Sequence, residues 1–195
     1  MAETLHTQVG YILGITPSGT TVPTQTQVTR WLLDGSILLA ETLPAKAFET
    51  KWVAASLELA DSYVALPASF LKFAAATYQS VTHSEVFLVN PAFGRYLRDV
   101  GSTMYTDKVI WIEGSNLHCS ETDGTIDLLY VKMPTETADI PAKFHALAID
   151  YAVIMAKKEA QELDEASLLI QEWVQKVAAL EKRYGFRHSN SQRIA

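Results

Sequence analysis

The chain has 195 residues, 48% hydrophobic and 19% charged, with a net charge of −6. That is enough for one domain with a proper core and too little for two ordinary ones. No run of roughly 18 uncharged apolar residues occurs, which excludes a membrane-spanning helix, and "MAETLHTQVG" lacks the basic patch and apolar core of a secretory signal.

The lone cysteine, Cys119, cannot form an internal disulfide and fits a chain made in a reducing cytoplasm. Charge is unevenly spread. Lys182, Arg183, Arg187 and Arg193 stand in the last fourteen residues with no acid, a local +4 that leaves the preceding 181 residues at −10. An acidic body disfavours general nucleic-acid binding, which rests on clustered Lys and Arg. The basic end can contact an acidic partner surface.

In chain order, residues 1–21 carry no readable pattern and are set apart as an N-terminal extension, with "TPSGTTVPT" a loop. A helix is expected over "TQTQVTRWLLDGSILLAETLP", with Val28, Trp31, Leu32, Leu38 and Leu39 on one face. Thr24 or Thr26 caps it, Pro44 closes it, and Gly35 within it costs about 1 kcal/mol. From Trp52 to Gln79 the pattern turns extended: "YVALP" and "FLKFAAATYQSV" read as strands around a "PAS" turn, with a helix competing at Ala74–Ala76. "VFLVNP" is followed by a short helix, "PAFGRYLRDVG". "KVIWIEGSNLHCSE" splits as a hairpin at Gly114-Ser115-Asn116, and "GTIDLLYVKMP" is entered through Asp123-Gly124, a hairpin turn signal.

The last third is helical. Pro141 suits a first turn, and Asp139 suits the helix dipole there. The first helix of the pair shows Phe144, Leu147, Ala148, Tyr151, Ile154 and Met155 at helical spacing. The second starts near Leu163-Asp164-Glu165, shows Leu169, Ile170, Trp173, Val177, Leu180 and Tyr184, and stops at Gly185. The expected fold is α+β: mainly a helical bundle, made of the N-terminal helix and a C-terminal helical hairpin, with a small antiparallel sheet inserted. Trp31, Leu32, Phe144, Tyr151, Met155, Trp173, Val177 and Leu180 are expected to form its helical core. The organisation is an extension (1–21), one domain (22–185) and a basic tail (186–195).

Chemistry is hard to find. His118, Cys119, Glu121 and Asp123 fall within six positions, but strand alternation sends His118 and Cys119 to opposite faces, and no CxxC or HxxxH pair joins them. There is no GxSxG, Walker loop or Rossmann turn. His83 and Glu85 share a strand face, where a surface contact explains them better than a general acid/base pair. His145, in the first turn of its helix, is poorly placed to carry charge. Arg95, Tyr96 and Arg98 are followed at once by Asp99, so a helix end explains them as well as a phosphate site does. No catalytic, cofactor or metal residue is assigned, and the expectation is not an enzyme.

The order of these elements resembles the adaptor subunits of tailed-bacteriophage head-to-tail connectors. The resemblance runs over roughly residues 22 to 184 and is strongest from Tyr130 to Ala152: a strand ends at a proline, a polar linker follows, then a Pro-initiated helix bears Phe144, Leu147, Asp150, Tyr151 and Ala152. It implies a homo-oligomeric ring of about twelve subunits, a dodecamer with heterologous contacts. Such a ring is bound under the portal protein, extends the DNA channel and meets tail, stopper or nozzle proteins. The location implied is the neck of the virion, after assembly in the host cytoplasm. Packaged DNA would pass an acidic wall without sequence-specific binding. A tail terminator or another virion interaction protein is the alternative, and a small enzyme a more distant one. Related adaptors engage the portal with their C-terminal ends, which assigns that contact to the tail. There Phe186 and Ile194 supply apolar anchors and Arg187 and Arg193 supply charge. Alone, such a segment is expected to be disordered.

Overall fold

A computed structural model describes residues 4–79, 84–100 and 108–185. The fold is α+β, and the chain divides into two compact units: a helical one from the residues up to Lys51 and from Met133 onward, and a sheet unit, Trp52–Lys132.

The helical unit holds α1 (Leu5–Leu13), α2 (Gln25–Thr42), α4 (His145–Glu159) and α5 (Leu163–Gly185). Helix α1 corrects the reading of the first 21 residues as patternless. The Thr4 hydroxyl accepts from the Thr7 amide at 3.2 Å, and Gly14 ends the helix at φ 68°. Val9 is fully buried, and α1 packs on α4 and α2. In α2, Thr24 is the cap and forms a capping box with Gln27. Leu38 is only half-buried; Gly35, Ser36 and Ala40 join Val28, Trp31, Leu32 and Leu39 inside.

Gly35 has a reason that the sequence did not reveal. A Cβ there would stand 3.0 Å from the Tyr151 Cβ, so the glycine lets α2 and α4 approach closely. Helix α4 is not the one-faced helix expected. Leu147, Ala148, Ile149, Ala152, Val153, Ile154 and Ala156 are buried, and they lie around its circumference. It is the central helix, contacted by α1, α2 and α5. Tyr151 and Met155 are consequently half-buried, as is Leu180, whereas Trp31, Leu32, Phe144, Trp173 and Val177 are buried. The Trp173 indole N–H donates to the Leu147 carbonyl at 2.9 Å.

Two local expectations near α4 need correction. The helix begins at His145, after a 3₁₀ turn at Ala142–Phe144, rather than at Pro141. Asp139 does not serve its dipole: that carboxylate accepts from the Thr135 and Glu136 amides and the Thr135 hydroxyl, closing the turn before it.

Among the described residues, the sheet unit has seven strands: β1 (Trp52–Glu58), β2 (Tyr63–Ala65), β3 (Phe70–Gln79), β4 (Ser84–Leu88), β5 (Lys108–Glu113), β6 (Asn116–Cys119) and β7 (Thr125–Lys132). Their order is β1-β7-β3-β4-β5-β6-β2. The sheet is mixed rather than antiparallel throughout. Strands β4 and β5 run parallel because the chain between them returns through helix α3 (Pro91–Val100). Residues 74–76 lie in strand β3, with Ala75 and Ala76 opposite Leu129 and Leu128 and a register shift beside Ala74. Small side chains there face large ones, which resolves the competing helix against it.

Asp123-Gly124 is not a hairpin turn. Strand β6 is already flanked by β5 and β2, and β7 lies between β1 and β3, so the two strands that this turn joins are not neighbours. Gly124 is needed for another reason: its φ is 109°, and a Cβ would meet the Tyr78 hydroxyl at 2.5 Å. That hydroxyl donates to the Asp123 carbonyl at 2.7 Å. One face of every strand feeds a single apolar cluster that includes Tyr78, Ile110, Leu117, Cys119, Ile126, Leu128 and Tyr130, with Leu57 and Val64 at its margin. Only a curled sheet brings its first and last strands to one core.

Candidate functional site

The residues singled out for chemistry are held apart by the sheet. Cys119 points into the apolar cluster and is fully buried, and burial pushes its thiol pKa up, which keeps it protonated and unsuited to ligating a metal. His118 points the other way and stacks on Trp111, ring centroids 5.3 Å apart, with Tyr63 at 5.8 Å. Glu121 pairs with Lys108 at 2.7 Å. Among the described residues, no group of three or more His, Cys, Asp and Glu side chains is placed to hold a metal ion. His83 lies outside the described residues, and the Glu85 backbone pairs opposite Thr77. The His145 ring meets the Ile140 carbonyl at 3.3 Å.

Arg95 and Arg98 are engaged in seating α3. Arg95 bridges to Glu113 at 3.4 Å, and the Arg98 guanidinium stands 6.0 Å from the Trp111 ring. Gly94 is the close-approach point, since a Cβ there would fall 2.5 Å from the indole. The arginines therefore hold a helix on its strand.

What the geometry offers instead is surface. In the helical unit, Ile12, Asp150, Val153, Ile154, Leu169, Glu172 and Lys176 line a half-open cavity of 140 Å³ among α1, α4 and α5. Its rim is fixed by Lys176 and Asp150, 2.8 Å apart, a hydrogen bond that raises the lysine pKa. Tyr11 is 84% exposed, and Ile12, Leu163, Leu168 and Val174 are also exposed. Exposed apolar groups of this size on neighbouring helices are of the kind that contacts between proteins use. Sequence reasoning missed Tyr11 and Ile12, although Thr4, the i/i+4 pair Leu5 and Val9, and Gly14 together signal a capped short helix.

The end of α5 is firmly seated. The Lys143 ammonium donates to the Tyr184 hydroxyl at 3.0 Å and stands over the Tyr184 and Phe144 rings at 4.6 and 4.9 Å. Phe144 meets Tyr184 edge-on at 6.1 Å and Phe48 at 5.6 Å. The tail residues Phe186, Arg187, Arg193 and Ile194, to which a partner contact was assigned, lie outside the described residues. Among the described residues, no helix is long and apolar enough to cross a membrane.

Comparison with protein families gives a match to the family described as SU10 adaptor protein over residues 4–194, which takes in α1, both units and most of the tail. Comparison with curated proteins gives no match.

Proposed function

This chain belongs to the SU10 adaptor protein family, and from that premise we propose that it is one subunit of the ring beneath the portal of a tailed-phage head. The family makes it a phage adaptor-type, structural virion protein. In the finer reading the ring holds about twelve copies in heterologous contact, sits at the neck, extends the DNA channel and presents a surface to tail, stopper or nozzle proteins. The observation that carries this is a family match running almost from end to end of the chain.

The charge distribution supports the same reading. A body at −10 lets DNA slide past without adhering, while the +4 end suits an acidic partner. Helix α5, held at Tyr184 by Lys143 and Phe144, serves as the arm that aims Phe186, Arg187, Arg193 and Ile194 at the portal.

Two measurements test this. The full chain should co-purify with portal protein as a ring visible by electron microscopy, and failure to enter portal-bearing particles would end the reading. Deleting residues 186–195 should leave the thermal transition in place while abolishing portal attachment at matched salt. A truncated chain that attaches as tightly as the full one removes the tail from the interface.

A further inference from the structure

Helix α5 has a second face besides the one it buries. Ala166, Trp173 and Val177 are buried, and the side farthest from them carries Asp164, Leu168, Gln171, Gln175, Ala178 and Lys182. Their spacing of four, three, four, three and four residues is that of a coiled-coil seam, about 27 Å long. Leu168 is 63% exposed, the other long side chains of the seam are exposed as well, and Ala178 is half-buried. The seam is charged only at its ends, with Asp164 at the start and Lys182 at the finish. Two neighbouring acids, Glu162 and Glu165, are held by Lys157 at 2.6 and 3.1 Å, so Asp164 is the acid that the seam presents.

The order of the seam points to its occupant. It is symmetric about position 173: Asp164 and Lys182 lie nine positions to either side, Leu168 and Ala178 five, Gln171 and Gln175 two. We propose that the free chain pairs with a second copy of itself along this seam, the two α5 helices antiparallel about a two-fold axis at the level of Trp173. In that register Asp164 of one copy meets Lys182 of the other, and the axis makes that ion pair twice. Leu168 lies against Ala178, a large side chain over a small one. Gln171 meets Gln175, two amides that each donate and accept. A parallel pair sets Asp164 on Asp164 and Lys182 on Lys182, so charge selects the antiparallel arrangement.

A two-fold contact of this kind is isologous, whereas a ring closes through head-to-tail contacts. The pairing is therefore a form of the chain outside the ring, and it stands or falls apart from portal attachment. A single helix-to-helix seam whose one large apolar residue is Leu168 makes a small interface, so the dimer is weak and forms only as concentration rises.

The test uses the full chain in sedimentation velocity over a concentration series at low salt, where exposed charge pairs are least screened. A monomer–dimer equilibrium is expected. Asp164→Lys brings a second lysine against Lys182 at each end of the seam, and Lys182→Asp brings a second aspartate against Asp164. Each variant alone should dimerise about tenfold more weakly, with an unchanged circular dichroism spectrum. Mixed in equal amounts, the two variants should regain the dimer, because each then meets its opposite charge at both ends. A change that merely disturbed the helix would not be mended by mixing. A parent chain that stays monomeric at every concentration would give this face to a different partner and overturn the proposal. So would a dimer that neither variant weakens, or two weakened variants that mixing fails to restore.

Discussion

Each unit is built around one element with neighbours on both sides, α4 in the helical unit and β7 in the sheet unit, but the two are held in different ways. Helix α4 satisfies its own backbone, so its neighbours grip it through side chains: Tyr151 against Gly35, and Leu147 under the Trp173 indole. Strand β7 is gripped through its backbone by β1 and β3, and its side chains then fill the cluster. Their peripheral elements differ accordingly. Helix α5 leaves apolar side chains outside, Leu163, Leu168 and Val174, whereas the chain leaving β1 turns back at once through Asp61 and Ser62, where Ala60 bridges Tyr63 at the start of β2. A helix face left apolar can meet shapes of many kinds, while a strand with its neighbours in place offers only its outward side chains.

The largest break in this comparison should come from removing a side chain that grips α4. Trp173→Ala empties a buried volume and leaves the Leu147 carbonyl without its indole partner, and should cost about 3–5 kcal/mol in denaturant unfolding. A loss under about 1 kcal/mol would mean that the α4–α5 contact is not structural.

An intermediate effect tests the sheet unit. Gly94→Ala places a methyl against the Trp111 ring and should cost about 1–3 kcal/mol through overpacking, although the same change in an exposed helix would stabilise it. A gain in stability would show that α3 sits loosely on β5.

The smallest effect concerns the turn between α4 and α5. Lys157 meets Glu162 at 2.6 Å and Glu165 at 3.1 Å. Hydrogen bonding to Glu162 first, then Glu165, raises the Lys157 pKa, and Lys157 lowers that of Glu162. The lowered carboxylate contributes above its ordinary range and loses that contribution as pH falls below about 4.3. The raised ammonium contributes below its ordinary range and loses that contribution as pH climbs beyond about 10.4. Lys157→Met should lower Tm by at most about two degrees near neutrality, and the difference from the parent chain should vanish at both extremes. A difference that stays constant with pH would assign the effect to packing.

Much of the helical unit was legible one element at a time. Thr24 with Gln27, and Pro44, are start and stop signals whose physics is local, and Asp164 and Glu165 lie in the first turn of α5, where the helix dipole favours them, so α2 and the start of α5 could be read from adjacent residues. The strands could be read as strands for the same reason, since alternation and β-branched content act within a few residues. The α3 crossover was also present as a short helix between two strands. The separation of His118 from Cys119 was legible as well, because the alternation that parts them needs only the period of a strand.

Which elements become neighbours was not legible, because pairing depends on residues far apart in the chain. Asp123-Gly124 carries a hairpin signal, yet its strands separate, because β7 is taken up between β1 and β3 and β6 between β5 and β2. Helix α4 looked one-faced until three other helices surrounded it, and α1 was passed over because its worth lies in Val9 packed within the unit. Gly35 and Gly94 read alone as weak points in helices. The tertiary structure makes them contact points, because only there do a second helix and an indole ring come closer than a Cβ allows.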